Sequence, residues 1–506
     1  MKGVSSPYFD PEFDTLIERI NPPGVVIDNE TCEDCTLVKV DSANRHGILL
    51  EMVQVLTDLD LVISKSYISS DGGWLMDVFH VTDQLGNQLT DRSLIQFIRQ
   101  SLVAGRRGGS PRQVRTCLGK LVGPGREEAS ESTVVEVTAT DRPGLLSEIA
   151  AVLAVLGCHV TSVQAWTHNS RAAVILYVTD HATGEPITDP VSLADIEEQV
   201  DSVVEARVSM PDERRRVSVS GPTPGRVHTE RRLHQMMRED RDYETGPAPP
   251  PAEADQFAVA RLEAKRRIND SRGRAPSGSG IETRVLIDSW KGRGYSVVNI
   301  RSRDRPKLLF DTVCALTDMQ YVVFHASVSS HGPLAVQEYY IRNKAGCALD
   351  EDGERQRVTR CLVAAVERRV SHGLRLDLCT RNRAGLLADV TRILRENGLS
   401  LARAECSTRG ERAVGTFYVT DISGAAVDPK AVEVAREEIG GDGVLEVGKD
   451  VTPGWPQVKK RNSSPSIVIG AGSSNSMDQD RPRFSLGSLL WSQIGRFSSN
   501  FGSIRS

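Results

Sequence analysis

The hexapeptide Asp-Arg-Pro-Gly-Leu-Leu at residues 141–146 decides the fold of this chain. It follows the apolar run 134–139, whose alternation predicts a strand, and it precedes apolar residues at helical spacing through residue 156. Pro143 and Gly144 end the strand and begin a tight turn. The stretch therefore predicts a strand, a turn and an amphipathic helix in direct succession.

Three further copies of this stretch make it the unit of an internal repeat. They begin at Asn44, Asp304 and Asn382 and read Asn-Arg-His-Gly-Ile-Leu, Asp-Arg-Pro-Lys-Leu-Leu and Asn-Arg-Ala-Gly-Leu-Leu. An apolar strand follows each copy, and its last residue lies 38 residues after the shared Arg. Those last residues are Asp83, Asp180, Asn343 and Asp421. Two anchors with one spacing in four places indicate four repeats rather than chance matches.

The composition is that of an ordinary globular protein. Charged residues make up 25% and apolar residues 39% of the 506 residues, and the formal net charge of −5 gives no overall preference for nucleic acid or membranes. No apolar run reaches the roughly 18 to 20 residues of a spanning helix, and no signal-peptide pattern opens the sequence. The nine cysteines are scattered and fit free thiols better than a disulfide framework. We therefore expect a cytoplasmic or nuclear protein without a nucleic-acid or membrane partner.

The repeats predict an α+β protein built from four small βαββαβ sandwiches of the ferredoxin-like class. Each sandwich would carry two helices on one face of a four-stranded antiparallel sheet, and its edge strands are expected to pair with those of another repeat. The closing strands of the first two repeats are expected at residues 114–121 and 203–208. The expected repeats span residues 36–122, 133–209, 295–371 and 374–448.

Three segments lie outside the repeats. Residues 1–35 are expected to form an irregular arm, and residues 210–282 a flexible linker with one short amphipathic helix within 229–243. Residues 449–506 are expected to form a Ser-rich tail with a terminal amphipathic helix. No linker separates repeats three and four, so they are expected to pack as one body, with repeat three as a structural partner of repeat four.

The repeated turn has the features of a small anion site. Backbone N–H groups at a helix start lack internal partners and lie at the positive end of the helix dipole, so that of Leu145 can hold a carboxylate. Gly144 allows close approach to the backbone, and Asp141 can accept a hydrogen bond from an ammonium group. Together they suit a zwitterion such as a free amino acid. The alternative is that Asp141 caps the helix while Pro143 and Gly144 serve only the turn.

The fourfold pattern resembles the ACT domain repeat proteins of plants, called ACR, and residues 484–491 of the tail are similar to that family as well. ACT domains are small regulatory modules that bind amino acids at interfaces between paired units, near this turn. In repeat three, Lys307 replaces the glycine and would crowd the approach to the backbone. The resemblance implies ligand sites at Asn44 and Gly47, at Asp141 and Gly144, and at Asn382 and Gly385.

The same resemblance implies a regulatory protein without catalytic activity. Its partners would be a free amino acid, with glutamine as one candidate, and a regulated protein that the sequence does not identify. The family is similar to the regulatory end of bacterial uridylyltransferase nitrogen sensors, which implies nitrogen sensing, but no His precedes an Asp as an HD phosphohydrolase would require. The alternative is a scaffold whose ACT pairs mediate assembly without a small ligand. Pairing within one chain and between chains are both open.

Two shorter motifs carry no predicted function. Cys32 and Cys35 have the spacing of a zinc knuckle, but no second CxxC motif or His pair completes four ligands, so no metal site is predicted. Residues 467–472 are similar to the start of a dinucleotide fingerprint, but too few residues follow to form a βαβ unit, so no cofactor is predicted.

Overall fold

The computed structural model describes residues 24–43, 46–71, 74–103, 113–117, 121–123, 132–206, 212–222, 228–244, 281–370, 373–439 and 444–448. These residues form eighteen strands and nine α-helices and belong to one compact unit within residues 1–457. The mixed α+β class and the antiparallel sheets predicted from the repeats are confirmed. Every described helix is too short or too polar to span a lipid bilayer.

The first large sheet is formed by repeats one and three. Repeat one contributes β1 (Gly24–Asp28), β2 (Thr36–Ala43), β3 (Val62–Asp71) and β4 (Trp74–Thr82). Repeat three contributes β11 (Arg284–Trp290), β12 (Tyr295–Arg303), β13 (Tyr321–His331) and β14 (Leu334–Asn343). The strand order is β1-β2-β4-β3-β13-β14-β12-β11. The two repeats meet where β3 pairs antiparallel with β13, with Ile68 opposite Ala326.

The second large sheet joins repeats two and four in the same way. Repeat two contributes β7 (Thr133–Thr140), β8 (Cys158–His168), β9 (Arg171–Asp180) and β10 (Arg216–Ser220). Repeat four contributes β15 (Leu374–Arg381), β16 (Leu399–Arg409), β17 (Arg412–Asp421) and β18 (Val444–Val447). The strand order is β10-β7-β9-β8-β16-β17-β15-β18. The joining strands are β8 and β16, with Ala165 opposite Ala404.

Each repeat places two helices on one face of its sheet. The first helices are α1 (Ile48–Asp58), α3 (Leu145–Val155), α6 (Leu308–Asp318) and α8 (Leu386–Glu396). The second helices are α2 (Arg92–Val103), α4 (Pro190–Glu205), α7 (Asp352–Glu367) and α9 (Pro429–Ile439). Apolar residues at helical spacing, such as Leu50, Val53 and Leu56 of α1, are completely or almost completely buried. Each such side chain stabilises the fold by roughly 1.5 to 3 kcal/mol.

The repeats differ in whether the fourth strand precedes or follows the other three strands in the sequence. Repeats one and three take it from the preceding segment, as β1 and β11, so part of the expected N-terminal arm is a strand. Residues 114–121, expected to close repeat one, instead contribute to a separate hairpin of β5 (Val114–Arg115) and β6 (Leu121–Val122). The edge position goes to β1 because its Val25 and Ile27 pack against the core.

Repeats two and four take their fourth strand from the segment that follows. For repeat four, β18 lies where the sequence predicts it. For repeat two, residues 203–208 were expected as the closing strand, but helix α4 continues to Glu205 because Ile196, Val200 and Val204 share one buried helical face. The closing strand is β10, which lies within the expected linker 210–282.

The pairing of repeats also corrects the sequence interpretation. Repeats three and four do not share a sheet, so the expectation that repeat three is the structural partner of repeat four is wrong. Both repeats nevertheless belong to the same compact unit. A short connection only requires that two repeats be neighbours; it does not decide which strands pair. The free edges of strands β3 and β8 are covered by pairing with β13 and β16. Pairing is therefore within one chain.

The linker also contains helix α5 (Thr229–Glu239), which confirms the short amphipathic helix predicted there. The helix lies between the second sheet and the helices of the first sheet, where Arg231 pairs with Asp318 of α6 at 2.7 Å. Residues 1–23 of the expected arm and the expected tail helix lie outside the described residues. The apolar side of α5 packs on the uncovered face of repeat two through Leu233, Met236 and Met237, which contact Trp166 and Ile175.

Candidate ligand-binding site

The repeated turn ends in a left-handed residue in all four repeats. The φ angle is +86° at Gly47, +85° at Gly144 and +71° at Gly385, and it is +65° at Lys307. Glycine adopts this conformation without penalty, whereas an L-residue with a side chain loses roughly 1–2 kcal/mol. The glycine in three copies is thus explained first by backbone geometry.

In repeats two and three, the Arg of the repeated motif ties the turn to both helices of its repeat. Arg305 forms an ion pair with Asp311 of α6 at 2.7 Å and donates to the carbonyl oxygen of Val366 in α7 at 2.6 Å. Arg142 pairs with Glu148 of α3 at 2.7 Å. An acidic residue lies six positions after the Arg in all four copies. The sequence alone therefore indicates this ion pair, although the Arg served above only as the reference position for comparing the repeats.

The turn of repeat four faces repeat two and forms one wall of a cavity, the repeat-four cavity. Asn382 and Gly385 line this wall, and His159 and Ser162 of β8 line the opposite one. The cavity is partly open to solvent and has a volume of about 50 Å³. The structure therefore brings the predicted residues Asn382 and Gly385 together at an interface between two repeats.

Asn382 is held in this cavity by an imidazole. Its Nδ2 lies 3.2 Å from Nε2 of His159. Burial and the neighbouring His181 lower the pKa of His159, so its ring is neutral at pH 7 and can accept a hydrogen from the amide. The pair presents neutral hydrogen-bonding groups to the cavity.

The turn of repeat two forms the matching repeat-two cavity with repeat four. Asp141 and Gly144 line one wall, and Leu401 and Arg403 of β16 line the other. This cavity is also partly open to solvent and has a volume of about 30 Å³. The two cavities correspond by exchange of the repeats, because each combines the turn of one repeat with the second strand of its partner.

Asp141 is a carboxyl group in a partly buried position of the repeat-two cavity. Burial raises the pKa of Asp141 to about 6, although a hydrogen bond from the backbone N–H of Arg142 opposes this rise. Among the described residues, no charged side chain contributes to the shift. A carboxyl group with a raised pKa in a cleft is typical of functional sites, and an ammonium group placed beside it would favour its charged form.

Three arginines line the same cavity. Arg142 of the turn pairs with Glu148, and the other two, Arg395 and Arg403, come from repeat four. The side chain of Arg395 crosses the turn so closely that a Cβ on Gly144 would lie 2.6 Å from its Cδ. Gly144 therefore has a second reason to be glycine. Arg403 pairs with Glu405, and its guanidinium lies 5.5 Å from the centre of the Tyr418 ring. The cavity thus combines an acid with arginine side chains from both repeats, the groups that complement a zwitterion.

The predicted role of the Leu145 N–H is not supported. Leu145 lines the repeat-two cavity, but its backbone nitrogen donates to the carbonyl oxygen of Arg142 at 3.2 Å. Its side chain is buried in the core. The amide that was expected to bind a carboxylate therefore closes the turn instead.

The turn of repeat three is bound by another part of the chain. The Lys307 ammonium pairs with Oε1 of Glu230, from helix α5, at 2.5 Å, and Oε2 of Glu230 pairs with Arg369 at 2.7 Å. Although burial opposes it, Arg369 and Lys307 hold the pKa of Glu230 well below its usual range. In repeat one, Gly47 keeps the expected turn geometry, while Asn44 lies outside the described residues.

Comparison with known proteins assigns the chain to a family. The ACR family N-terminal ACT domain model matches residues 31–109, and the ACT domain model matches residues 375–440. ACT domain-containing protein ACR1 of Arabidopsis thaliana is 47% identical over 508 residues, which cover 100% of both chains. ACT domain-containing protein ACR3 of the same plant is 50% identical over 440 residues, covering 87% of this chain and 90% of that protein. The repeats, the paired sheets and these relatives together show that the chain belongs to the ACR family of ACT domain-containing proteins.

Proposed function

We propose that this protein is a regulator without catalytic activity that binds a free amino acid in the cavities between repeats two and four. The supporting observation is the pair of matching cavities, each formed by the turn of one repeat and the second strand of the other. In the repeat-two cavity, Asp141 would receive the ammonium group, and Arg395 or Arg403 the carboxylate. The regulatory character of ACT domains supports this reading.

Glutamine is the first candidate ligand under this proposal. The amide of Asn382 and the imidazole of His159 in the repeat-four cavity can exchange hydrogen bonds with a carboxamide group. Binding would then report nitrogen status to a regulated protein through the second sheet, whose two repeats share the ligand.

For repeats one and three, we propose the scaffold role instead. Lys307 of the turn already holds the Glu230 carboxylate, and helix α5 connects this pair of repeats to the second sheet. This part of the chain is built to hold the two sheets together rather than to accept a small ligand at the repeat-three turn.

The proposal is tested by thermal unfolding of the full chain with each of the twenty amino acids. A ligand at one hundred times its Kd stabilises the folded state by about 2.7 kcal/mol, so the true ligand should raise Tm while others do not. The Asp141→Asn and Arg403→Met variants should lose this response. The Asp195→Asn variant changes an exposed carboxylate of the same repeat and is the matched control.

Two results would reject this proposed function. The first is the absence of a Tm response to all twenty amino acids in the folded wild-type protein. The second is a response of equal size in wild type, Asp141→Asn and Asp195→Asn, since a ligand bound elsewhere would not depend on the cavity.

A further inference from the structure

Away from these cavities, the structure brings two cysteines and a histidine together at the edge of repeat one. The Sγ atoms of Cys32 and Cys35 are 3.1 Å apart, and Sγ of Cys35 is 3.5 Å from Nδ1 of His80. The three ligand atoms all lie within 4.8 Å of one another. We propose that Cys32, Cys35 and His80 form a binding site for a zinc ion.

The strand pairing explains how a distant histidine completes the CxxC motif. Cys35 directly precedes β2, and β2 pairs with β4 so that Leu37 lies opposite His80. Along β4, Phe79 and Val81 enter the core, which places His80 on the other face of the sheet, beside the cysteines. A search for ligands near the motif in sequence does not find His80, because only the fold brings it close.

The loop that carries both cysteines is held by one side chain. The Nε2 of Gln88 lies 2.7 Å from the carbonyl oxygen of Cys32, 3.0 Å from that of Asn29 and 3.2 Å from that of Cys35, so its two hydrogens are shared among three acceptors. The start of the loop is fixed as well, because Asp28 accepts from the backbone N–H of Thr31 at 3.0 Å. These bonds orient both thiols toward the same point, as supporting hydrogen bonds do in metal sites.

The distances are close to those of a tetrahedral zinc site. Zinc lies about 2.3 Å from sulfur and about 2.0–2.1 Å from nitrogen, so two sulfur ligands are about 3.8 Å apart and sulfur and nitrogen about 3.6 Å apart. The Cys35–His80 distance of 3.5 Å already fits, and the sulfur atoms at 3.1 Å need to separate by about 0.7 Å. A disulfide between Cys32 and Cys35 would not need the imidazole of His80 beside the sulfur atoms, whereas a metal site does.

The donor set also selects the metal. Thiolates and imidazole favour zinc over magnesium or calcium, which prefer oxygen ligands. Two thiolates balance the double charge of the ion, and three protein ligands leave the fourth tetrahedral position for water. A bound zinc ion would fasten the loop between β1 and β2 to strand β4.

The test is a metal titration of the reduced, metal-free, full-length protein. One equivalent of Co²⁺ should produce a thiolate-to-metal charge-transfer band, and one equivalent of Zn²⁺ should remove it and raise Tm. The Cys32→Ser variant should lack the band, and His80→Asn should bind Zn²⁺ at least about tenfold more weakly. The control is Cys347→Ser, an exposed cysteine of repeat three, which should behave as wild type.

Three outcomes would overturn the zinc site. They are no charge-transfer band in the folded wild type, a band that persists in Cys32→Ser, and a Cys32–Cys35 disulfide in a protein that still binds no metal after reduction. Circular dichroism reports folding of each variant, and His80→Asn decides the matter should Cys32→Ser not fold. No amino acid is added, so the result is independent of the proposed function.

Discussion

Lys307 and Glu230 form an ion pair of 2.5 Å that joins the left-handed turn of repeat three to the linker helix α5. The side chain of Glu230 is 5% exposed and that of Lys307 is 29% exposed. Glu230 also pairs with Arg369, so a buried carboxylate holds two cations from repeat three. The pair offsets the strain of the left-handed lysine and connects the two large sheets through the linker.

Replacing Glu230 by alanine should destabilise the protein by about 3 kcal/mol, because it leaves buried Arg369 and Lys307 without a shared partner. Urea unfolding at pH 7 measures this loss. The control is Glu239→Ala, since Glu239 lies at the exposed end of the same helix and should cost less than about 1 kcal/mol. Equal effects of the two substitutions would contradict the buried role of Glu230.

The repeated Arg should matter according to its burial. Arg305 is 7% exposed beside a fully buried Asp311, whereas Arg383, which pairs with Asp389, is 57% exposed. Arg305→Met should therefore cost about 3 kcal/mol and Arg383→Met less than about 1 kcal/mol. Chemical denaturation of both variants provides the comparison. A large loss in Arg383→Met would show that the motif contributes more than this ion pair.

Asp141→Asn should stabilise the unliganded protein at high pH while weakening amino-acid binding. The folded pKa of about 6 lies above the usual value of 3.8, so Asp141 contributes stability below pH 4 that is lost as the pH rises through 6. The variant removes this loss and should gain about 3 kcal/mol at pH 8 but only about 0.5 kcal/mol at pH 4. Urea unfolding at both pH values measures the gain. A constant difference would exclude the ionisation of Asp141 as its cause.

Gly144→Ala should reduce amino-acid binding beyond its effect on folding. A Cβ at Gly144 displaces Arg395 in the repeat-two cavity and adds about 1–2 kcal/mol of backbone strain. Gly184→Ala in the same repeat introduces similar strain at a φ of +72° with open space around the Cβ. Calorimetry should show weaker binding only for Gly144→Ala. Equal affinities would place the ligand away from this turn.

Separately expressed halves of the chain should need each other to fold. Residues 1–244 contain strands β3 and β8, and residues 281–506 contain β13 and β16, so each half alone exposes two edge strands. We expect each half to aggregate alone and the two to copurify as a one-to-one complex when coexpressed. Size-exclusion chromatography distinguishes this result from two independently soluble monomers, which would contradict the observed pairing.

The units of the fold could be predicted because their signals are local. The turn around Gly144 and the helix after it follow from residue spacing, and all four copies keep the left-handed turn residue. Pairing could not be predicted, because β3 and β8 have similar free edges and only packing of complete repeats selects between them. Val203 and Val204 were misassigned because an apolar pair fits both a strand and the end of helix α4.

The candidate site was predicted only in part. Asp141, Gly144, Asn382 and Gly385 line cavities as the repeated turn suggests. The opposite walls, which include His159 and Arg403, belong to the partner repeat and have no motif that links them to the turn. Such residues can be found only when the register between β8 and β16 is known.

The sequence position of the fourth strand in each repeat relates the two halves of the chain to each other. In repeats one and three the fourth strand precedes the other strands in the sequence, and in repeats two and four it follows them. The first half of the polypeptide therefore has the same construction as the second. A protein of half this length could build both large sheets from two identical copies. The present chain has the architecture of such a homodimer joined into one polypeptide, in which helix α5 and Lys307 distinguish the two halves.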